Sequence, residues 1–303
     1  MQGFGTKSLK SIFRNKKKLL LGTAQFKANY GKSHFNKLDS KDIHEILKFA
    51  YENKITELDT APDYGDSELQ IGLANTKHLI TSKIPTCSDI SVKYSDWIEA
   101  SIGQTLINTK RQSIETILFH NVREFIENYS NEVDEKIMKI KADGLIKKIG
   151  VSIYDTSELE EILEIFIPDV IQFPLNPFDQ RFIKNYIKDM HFLGIQTIAR
   201  SIFLQGVLVS QKLKDQDYFL KWQNDLSEWK NFCQSQNLKP YEACIQFILD
   251  VDFLDGYTLG VGSLKELQEI TYAIRKLDTT GKLNLYEDFQ KNDPNLIDPR
   301  RWP

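Results

Sequence analysis

The sequence predicts an α/β fold, a closed (β/α)8 TIM barrel of parallel strands joined by helices. Short apolar runs alternate eight times along the chain with longer segments in which apolar residues recur every three or four positions. The first pattern is typical of buried strands and the second of amphipathic helices. Their alternation indicates a parallel sheet with crossover helices, and eight units favour a closed barrel over an open sheet. The first unit also lacks the Gly-x-Gly-x-x-Gly turn that an open dinucleotide-binding sheet requires.

The 303 residues are expected to form a single domain. Its core covers about residues 19–275, with long loops after the strands, a basic lead-in at 1–18 and a C-terminal tail at 276–303. A hydrophobic content of 41% and a net charge of -3 suit a globular protein and give no reason to expect a nucleic-acid or membrane partner. No apolar run could span a bilayer or form a signal-peptide core, which favours a solvated lead-in over a targeting signal. Three scattered cysteines indicate a reducing compartment, and the cytoplasm is the expected location.

The predicted strands are apolar runs that end at a polar residue or a glycine. In chain order they are 19–23, 55–59, 79–83, 113–119, 147–152, 170–173, 195–199 and 257–261. Barrel sites lie at the carboxyl ends of the strands. The residues expected at this end are Asp59, Lys83, His120, Ser152, Gln172, Arg200 and Gly262.

Helices are predicted between the strands. Their ranges are 42–52, 67 onward, 95–108, about 133–140, 157 onward, 182–192, 218–233, 241–249 and 264–274. The spacing of Ser157 and Glu160 suggests an N-terminal capping box. The helix that begins near Ser67 is expected to point Leu69, Ile71 and Leu73 inward.

The most informative motif is Asp-Thr-Ala-Pro-Asp-Tyr-Gly-Asp-Ser-Glu at 59–68. A phenol has a pKa of about 10 and is a poor proton donor near neutral pH. A nearby cation lowers that pKa, and a carboxylate can hold the cation in place. A lysine is therefore expected beside Asp59 and Tyr64, and Lys83 can supply it. His120 ends the next apolar run. Other interpretations stay open: an ordinary buried Asp59–Lys83 ion pair, a packed Tyr64 and a structural His120.

The order and spacing of these four residues resemble the tetrad of the aldo-keto reductase superfamily, over about residues 19–275. The resemblance implies an NAD(P)H-dependent oxidoreductase that reduces an aldehyde or ketone without a metal ion. Tyr64 would donate a proton to the carbonyl oxygen, and Lys83, paired with Asp59, would lower the phenol's pKa. His120 would donate a hydrogen bond that orients the carbonyl.

The resemblance also implies cofactor contacts on the first, fifth and sixth strands. Gly22 and Thr23 match the family's Gly-Thr, and Ser152 and Gln172 match residues that hold the nicotinamide carboxamide. Ile153 stands where the family usually has an asparagine, so that contact is either missing or supplied by Asn176.

The end of the seventh strand departs from the family pattern, because Arg200 replaces the usual aromatic residue. Its guanidinium could stack on the nicotinamide ring, or bring charge for an anionic substrate or the cofactor diphosphate. A salt bridge at the barrel mouth is the alternative. Contacts to the cofactor are expected from Arg200, Ser201, Leu204 and Gly206, with the backbone at 204–208 around the pyrophosphate.

The eighth unit resembles the family's adenosine-phosphate clamp at a helix N-terminus, a natural anion site. Its predicted contacts are Gly262, Ser263, Lys265 and Gln268, with Ser263 and Lys265 toward a 2′-phosphate. NADPH is the implied cofactor, with NADH as the other candidate because the family's usual arginine and asparagine are absent here. Lys265 could instead be a solvated helix charge.

The substrate class is suggested by the resemblance to a bacterial branch often associated with sugar and surface-glycan biosynthesis, which makes a keto- or aldehydo-sugar the candidate. Aromatic loop residues Phe26, Tyr30, Tyr154 and Phe178 are expected near the pocket, and Trp302 either covers the barrel mouth or packs outside it. A monomer or small homo-oligomer is expected. The alternative function is a cofactor-binding regulator with little turnover. Dispersed histidines argue against a metal-dependent barrel hydrolase.

Overall fold

The computed structural model describes residues 17–26, 38–184, 186–210, 216–277 and 287–303. Within these residues, eight parallel strands close into a barrel in which each strand pairs with its neighbours in sequence and β1 pairs with β8. The strands are β1 Lys18–Gly22, β2 Glu57–Asp59, β3 Leu79–Ile84, β4 Ile114–Phe119, β5 Ile146–Ser152, β6 Val170–Pro174, β7 Gln196–Arg200 and β8 Gly256–Gly260. The (β/α)8 prediction is therefore confirmed.

The strand register places the predicted polar strand ends at one mouth of the barrel. Gly22 at the end of β1 pairs with Asp59 at the end of β2 on one side and with Gly260 at the end of β8 on the other. Ser152 at the end of β5 pairs with Gln172 on β6. The chain therefore brings residues more than a hundred positions apart to a single rim.

Helices connect the strands. They are α1 Ser40–Glu52, α2 Ser67–Ala74, α3 Tyr94–Thr109, α4 Val122–Asn128, α5 Asn131–Ala142, α6 Thr156–Ile165, α7 Ile187–Phe192, α8 Gln216–Phe219, α9 Gln223–Ser235, α10 Pro240–Asp250, α11 Leu264–Leu277 and α12 Pro294–Ile297. The helix α4 at 122–128 was not predicted. Of the segment predicted to be helical over 182–192, α7 covers only the last part, Ile187–Phe192. A 3-10 turn, Leu220–Trp222, interrupts the helix expected at 218–233. None of the helices in the described ranges combines the length and apolar character needed to cross a membrane.

The inward face predicted for α2 is wrong. Ile71 is buried, but Leu69 is 50% and Leu73 65% exposed. Residues two positions apart on a helix point about 200° away from each other, so three alternate residues cannot share a face. The buried face instead carries Ser67, Glu68, Ile71 and Gly72.

Glu68 is a buried acidic residue that joins three elements. Its carboxylate accepts hydrogen bonds from Ser82 Oγ at 2.6 Å on β3, and from Thr105 Oγ1 at 3.0 Å and Asn108 Nδ2 at 3.0 Å on α3. A buried carboxylate is tolerated when its oxygens are satisfied in this way. The network fixes α2 against the strand that carries Lys83.

The cap of α6 also differs from the prediction. The capping box is formed by Asp155 and Glu158, each two residues earlier than the predicted Ser157 and Glu160. Asp155 accepts from the Glu158 amide at 3.2 Å, while Glu158 accepts from the amides of Tyr154 and Asp155. An aspartate and a serine are both good N-caps, and the position at which the chain leaves β5 decides between them.

The C-terminal tail has more structure than its composition indicates. Its short helix α12 is followed by a 3-10 turn, Pro299–Arg301. Trp302 packs edge-on against Phe219 of α8, with ring centroids 5.1 Å apart, and its indole donates to the Asn295 carbonyl at 3.0 Å. Of the two positions left open for Trp302, the structure therefore shows packing outside the mouth.

Candidate active site

A cavity of about 520 Å³ opens at the carboxyl end of the barrel. The predicted residues that line it are Gly22, Asp59, Tyr64, Lys83, His120, Ser152, Gln172, Arg200, Ser201 and Gly206. The other predicted residues are described by the structure but lie outside this lining: Thr23, Leu204, Gly262, Ser263, Lys265 and Gln268. The structure thus brings together the four candidate catalytic residues and about half of the candidate cofactor contacts.

Lys83 and Asp59 form a buried ion pair on neighbouring strands. The Lys83 ammonium donates to Asp59 Oδ1 and to the Thr60 carbonyl at 2.9 Å. Asp59 Oδ2 accepts from Gln172 Nε2 at 2.7 Å and from Thr258 Oγ1 at 3.0 Å. The carboxylate is therefore held from strands β3, β6 and β8. Gln172, predicted to hold a cofactor carboxamide, lines the cavity and gives one of its amide N–H groups to Asp59.

Tyr64 ends the 3-10 turn that follows β2, and its ring lies 5.0 Å from the Lys83 ammonium. The predicted lowering of the phenol's pKa is wrong for this structure. Burial and the Asp59 carboxylate raise the pKa of Tyr64 well above its usual value, with Arg200 opposing the rise. The phenol consequently keeps its proton throughout the neutral range.

His120 lies beside Tyr64, with the two rings perpendicular and their centroids 6.2 Å apart. Its Nδ1 is 2.8 Å from Asp63 Oδ2. Burial and the charges of Lys83 and Arg200 lower the pKa of His120, while the bond to Asp63 raises it. Because a carboxylate accepts, Nδ1 carries the hydrogen, and Nε2 can then donate only when the imidazole is protonated.

Asp63 was missed by the sequence reasoning, although it lies inside the motif and lines the cavity. A charged residue immediately before the tyrosine is the signal that could have found it. Its partner, His120, is 57 positions away and is brought close only by the pairing of β2, β3 and β4.

Arg200 makes contacts with neutral groups at the rim. Its guanidinium donates to Ser152 Oγ at 3.3 Å, to Ser201 Oγ at 3.3 Å and to the Ile153 carbonyl at 3.0 Å. It also stacks 4.0 Å from the centre of the Tyr154 ring. Among the described residues Arg200 forms no salt bridge, which was the alternative for this residue, and the contacts above hold the guanidinium plane at the cavity wall.

The tail contributes to the same wall. Arg300 lies 3.8 Å from the centre of the Tyr154 ring and also bonds to Asp298 and to Glu158. Two guanidinium groups this close to one ring must occupy its opposite faces. Pro299 lines the cavity beside this stack, so the tail shapes the mouth although Trp302 packs away from it.

The predictions that other aromatic residues lie near the pocket have different outcomes. Tyr154 lines the cavity, whereas Phe26 and Phe178 are buried in the core, where Phe178 contacts Trp229. Tyr30 lies outside the described residues. Asn176 is fully buried and donates to the Ser201 carbonyl at 3.2 Å, so it supports the β7 loop and does not reach the cavity.

The loop after β7 has an unusual backbone. Ser201, Leu204 and Gln205 have positive φ angles of 57°, 48° and 50°, and Gly206 has φ 97°. Non-glycine residues rarely adopt this region. The amides of Leu204, Gly206, Val207 and Leu208 donate to carbonyls of the loop itself, so these four amides do not form the pyrophosphate cradle predicted at 204–208. The side chain of Leu204 is completely buried, and the residue lies outside the cavity lining.

At the start of α11 the cavity is lined by Glu266, which was not predicted. Its carboxylate accepts from the Gly262 amide at 2.7 Å, and its own amide donates to Ser263 Oγ at 3.1 Å. Ser263, Lys265 and Gln268 are exposed, on the solvent side of α11. These three residues therefore lie outside the cavity lining, and their role in an adenosine-phosphate clamp stays a prediction.

The amino-acid sequence matches the family model described as Aldo/keto reductase family over residues 18–281. The chain belongs to the aldo/keto reductase family. It is 23% identical over 263 residues to D-arabinose 1-dehydrogenase of Saccharomyces cerevisiae, covering 76% of each chain. It is 25% identical over 201 residues to glyoxal reductase of Bacillus subtilis, covering 62% of this chain and 67% of that one. The fold is also that of aldo-keto reductase AKR11C1 from Bacillus halodurans, with a TM-score of 0.73, 16% identity and coverage of 95% of this chain and 98% of that one.

Membership of the aldo/keto reductase family makes this chain an oxidoreductase that acts on small-molecule carbonyl compounds, and proteins of the family use nicotinamide cofactors. The buried ion pair, the protonated phenol and the histidine all face the same cavity. This arrangement can polarise a carbonyl oxygen and deliver a proton to it.

Proposed function

We propose that this aldo/keto reductase uses NADPH or NADH to reduce an aldehyde or ketone to an alcohol, with Tyr64 as the proton donor. The observation that supports this most directly is the convergence of Tyr64, His120 and the Lys83–Asp59 pair on one cavity. No group of three or more potential metal-binding side chains occurs among the described residues, and the proposed chemistry uses none.

The residues present fit a nicotinamide dinucleotide. The guanidinium of Arg200 at the cavity wall suits a diphosphate. A Cβ at Gly22 would lie 3.0 Å from Thr258 Cγ2, so the glycine lets β1 pack closely against β8 at the cavity wall. Gln25 also lines the cavity, with a buried Oε1 that has no partner among the described residues. A bound nicotinamide supplies the hydride.

The chain's own residues would supply the proton and the electrostatic environment. Tyr64 holds its proton at neutral pH and releases it only as negative charge develops on the carbonyl oxygen. The Lys83 ammonium stabilises that charge, and Asp59 fixes the ammonium in place. His120, whose ring Asp63 holds, would donate from Nε2 to the same oxygen only in its protonated form, which the lowered pKa of His120 makes the minor form at pH 7. Because these groups are fixed by the strands, little reorganisation accompanies the transfer.

A keto- or aldehydo-sugar is the proposed substrate class. The polar rim of Asp63, Ser152, Gln172 and Arg200 offers donors and acceptors to hydroxyl groups, and one of the relatives is named for a sugar, D-arabinose. We further propose that residues 1–303 form one domain with its core at about 19–275, acting in the cytoplasm as a monomer or small homo-oligomer.

The decisive experiment is Tyr64→Phe, which removes the hydroxyl and keeps the ring. We expect kcat/KM for carbonyl reduction to fall about 10²–10⁴-fold while the Kd of the cofactor stays within a factor of three. Tyr94→Phe is the matched control, because Tyr94 is also largely buried but packs on Phe119 outside the cavity lining. Reduction that survives in Tyr64→Phe would overturn the proposed role.

A further inference from the structure

The carboxylate of Glu266 caps the N-terminus of α11 from within the chain. It lies at the start of α11 and accepts from the Gly262 amide at 2.7 Å, so it satisfies a donor of the helix N-terminus from within the chain. The same side chain lines the cavity and its carboxylate is largely withdrawn from solvent, so burial raises the pKa of Glu266. The positive end of the helix dipole is thus already paired with a negative charge.

The basic residue at the start of α11, Lys265, lies away from the cavity. Lys265 is exposed and does not line the cavity, and Ser263 Oγ is engaged by the Glu266 amide. The described residues that line the cavity beyond β8 therefore present a carboxylate where a phosphate clamp would present a cation.

The cavity continues from the Tyr64 end, past Leu259 and Gly260 at the end of β8, to Glu266. In (β/α)8 barrels the loops after strands 7 and 8 commonly form the phosphate site. A dinucleotide that places its nicotinamide at Tyr64 and its diphosphate beside the loop after β7 can place its adenosine ribose at the start of α11.

We propose that Glu266 makes this chain select NADH over NADPH. The inference rests on the proposed function and specifies its cofactor. The carboxylate accepts hydrogen bonds from the ribose hydroxyls of NADH, as acidic residues do in other dinucleotide sites. It repels the 2′-phosphate of NADPH at close range, in surroundings where solvent screens the charges poorly. The selection therefore combines an attraction for one cofactor with a repulsion of the other.

The test is isothermal titration calorimetry of the full chain with NADH and with NADPH at pH 8, which needs no substrate. The wild type is expected to bind NADH at least tenfold more tightly. Glu266→Gln keeps an oxygen for the Gly262 amide but removes the charge, so NADPH should gain about tenfold while NADH changes little. Glu269→Gln is the matched control, because Glu269 is an exposed acid on the same helix and does not line the cavity.

A wild type that prefers NADPH, or a Glu266→Gln variant with an unchanged NADH/NADPH ratio, would overturn the inference and leave the proposed function standing. Failure of both cofactors to bind the wild type would overturn the proposed function as well. If Glu266→Gln does not fold, the inference can be tested on the wild type by competition between NADH and adenosine nucleotides. Adenosine 5′-monophosphate should displace NADH at lower concentration than adenosine 2′,5′-bisphosphate, and the reverse order would refute the inference.

Discussion

The buried pair of Lys83 and Asp59 leads to a quantitative prediction for Asp59→Asn. Lys83 is 2% exposed, and its ammonium donates to the Asp59 carboxylate and to the Thr60 carbonyl. The substitution keeps the shape of the side chain but leaves a buried cation without a counter-charge. It also gives up the charged acceptor that Gln172 and Thr258 now share.

The magnitude follows from the burial. Removing one partner of a buried ion pair costs about 3–5 kcal/mol, because the remaining charge stays desolvated. A domain is stable by about 5–15 kcal/mol in total, so Asp59→Asn should remove a large fraction of the free energy of unfolding. Part of this loss should return in Asp59→Asn/Lys83→Met, because the second substitution removes the uncompensated cation.

The assay is urea denaturation at pH 7, followed by the fluorescence of the four tryptophans. Asp66→Asn is the matched control: Asp66 is an exposed acid of the same loop, and its change should stay within about 0.5 kcal/mol of the wild type. The reasoning is refuted if Asp59→Asn costs less than 1 kcal/mol (about the error of a good comparison), or if the double variant is no more stable than Asp59→Asn alone.

Two further predictions concern histidines. Asp63 raises the pKa of His120, so Asp63→Asn should lower that pKa further. The measurement is the pH dependence of the His120 ring proton shifts by NMR. An unchanged midpoint would show that the contact with Asp63 does not affect the protonation of His120. Burial lowers the pKa of His78 from 6.5 to about 4, so the unfolded chain binds more protons between these values and stability should fall by about 3 kcal/mol as pH drops through that window. His78→Gln should flatten this part of the stability profile measured by urea denaturation from pH 7.5 to 4, and an equally steep profile would exclude His78 as the cause.

The barrel and the core of its site could be predicted from the sequence. Each strand is an apolar run that a polar residue or a glycine interrupts, and a parallel barrel gathers those interruptions at one rim. Asp59, Lys83 and His120 are therefore placed together by topology alone. The helices α1 and α3 were predicted within a few residues because their apolar periodicity is a local property of the chain.

The tertiary structure decided which side chains face the cavity and what each one bonds. The pairing of Gln172 with Asp59 spans 113 positions, and no local pattern encodes it. Likewise, Glu266 rather than Lys265 points inward because α11 packs with a particular rotation against the barrel, which a one-residue difference in phase would reverse. The sequence by itself determined where strands and helices form, through short-range periodicity. The electrostatic partners, and with them the protonation of Tyr64 and His120, depend on long-range contacts that exist only when the barrel is closed.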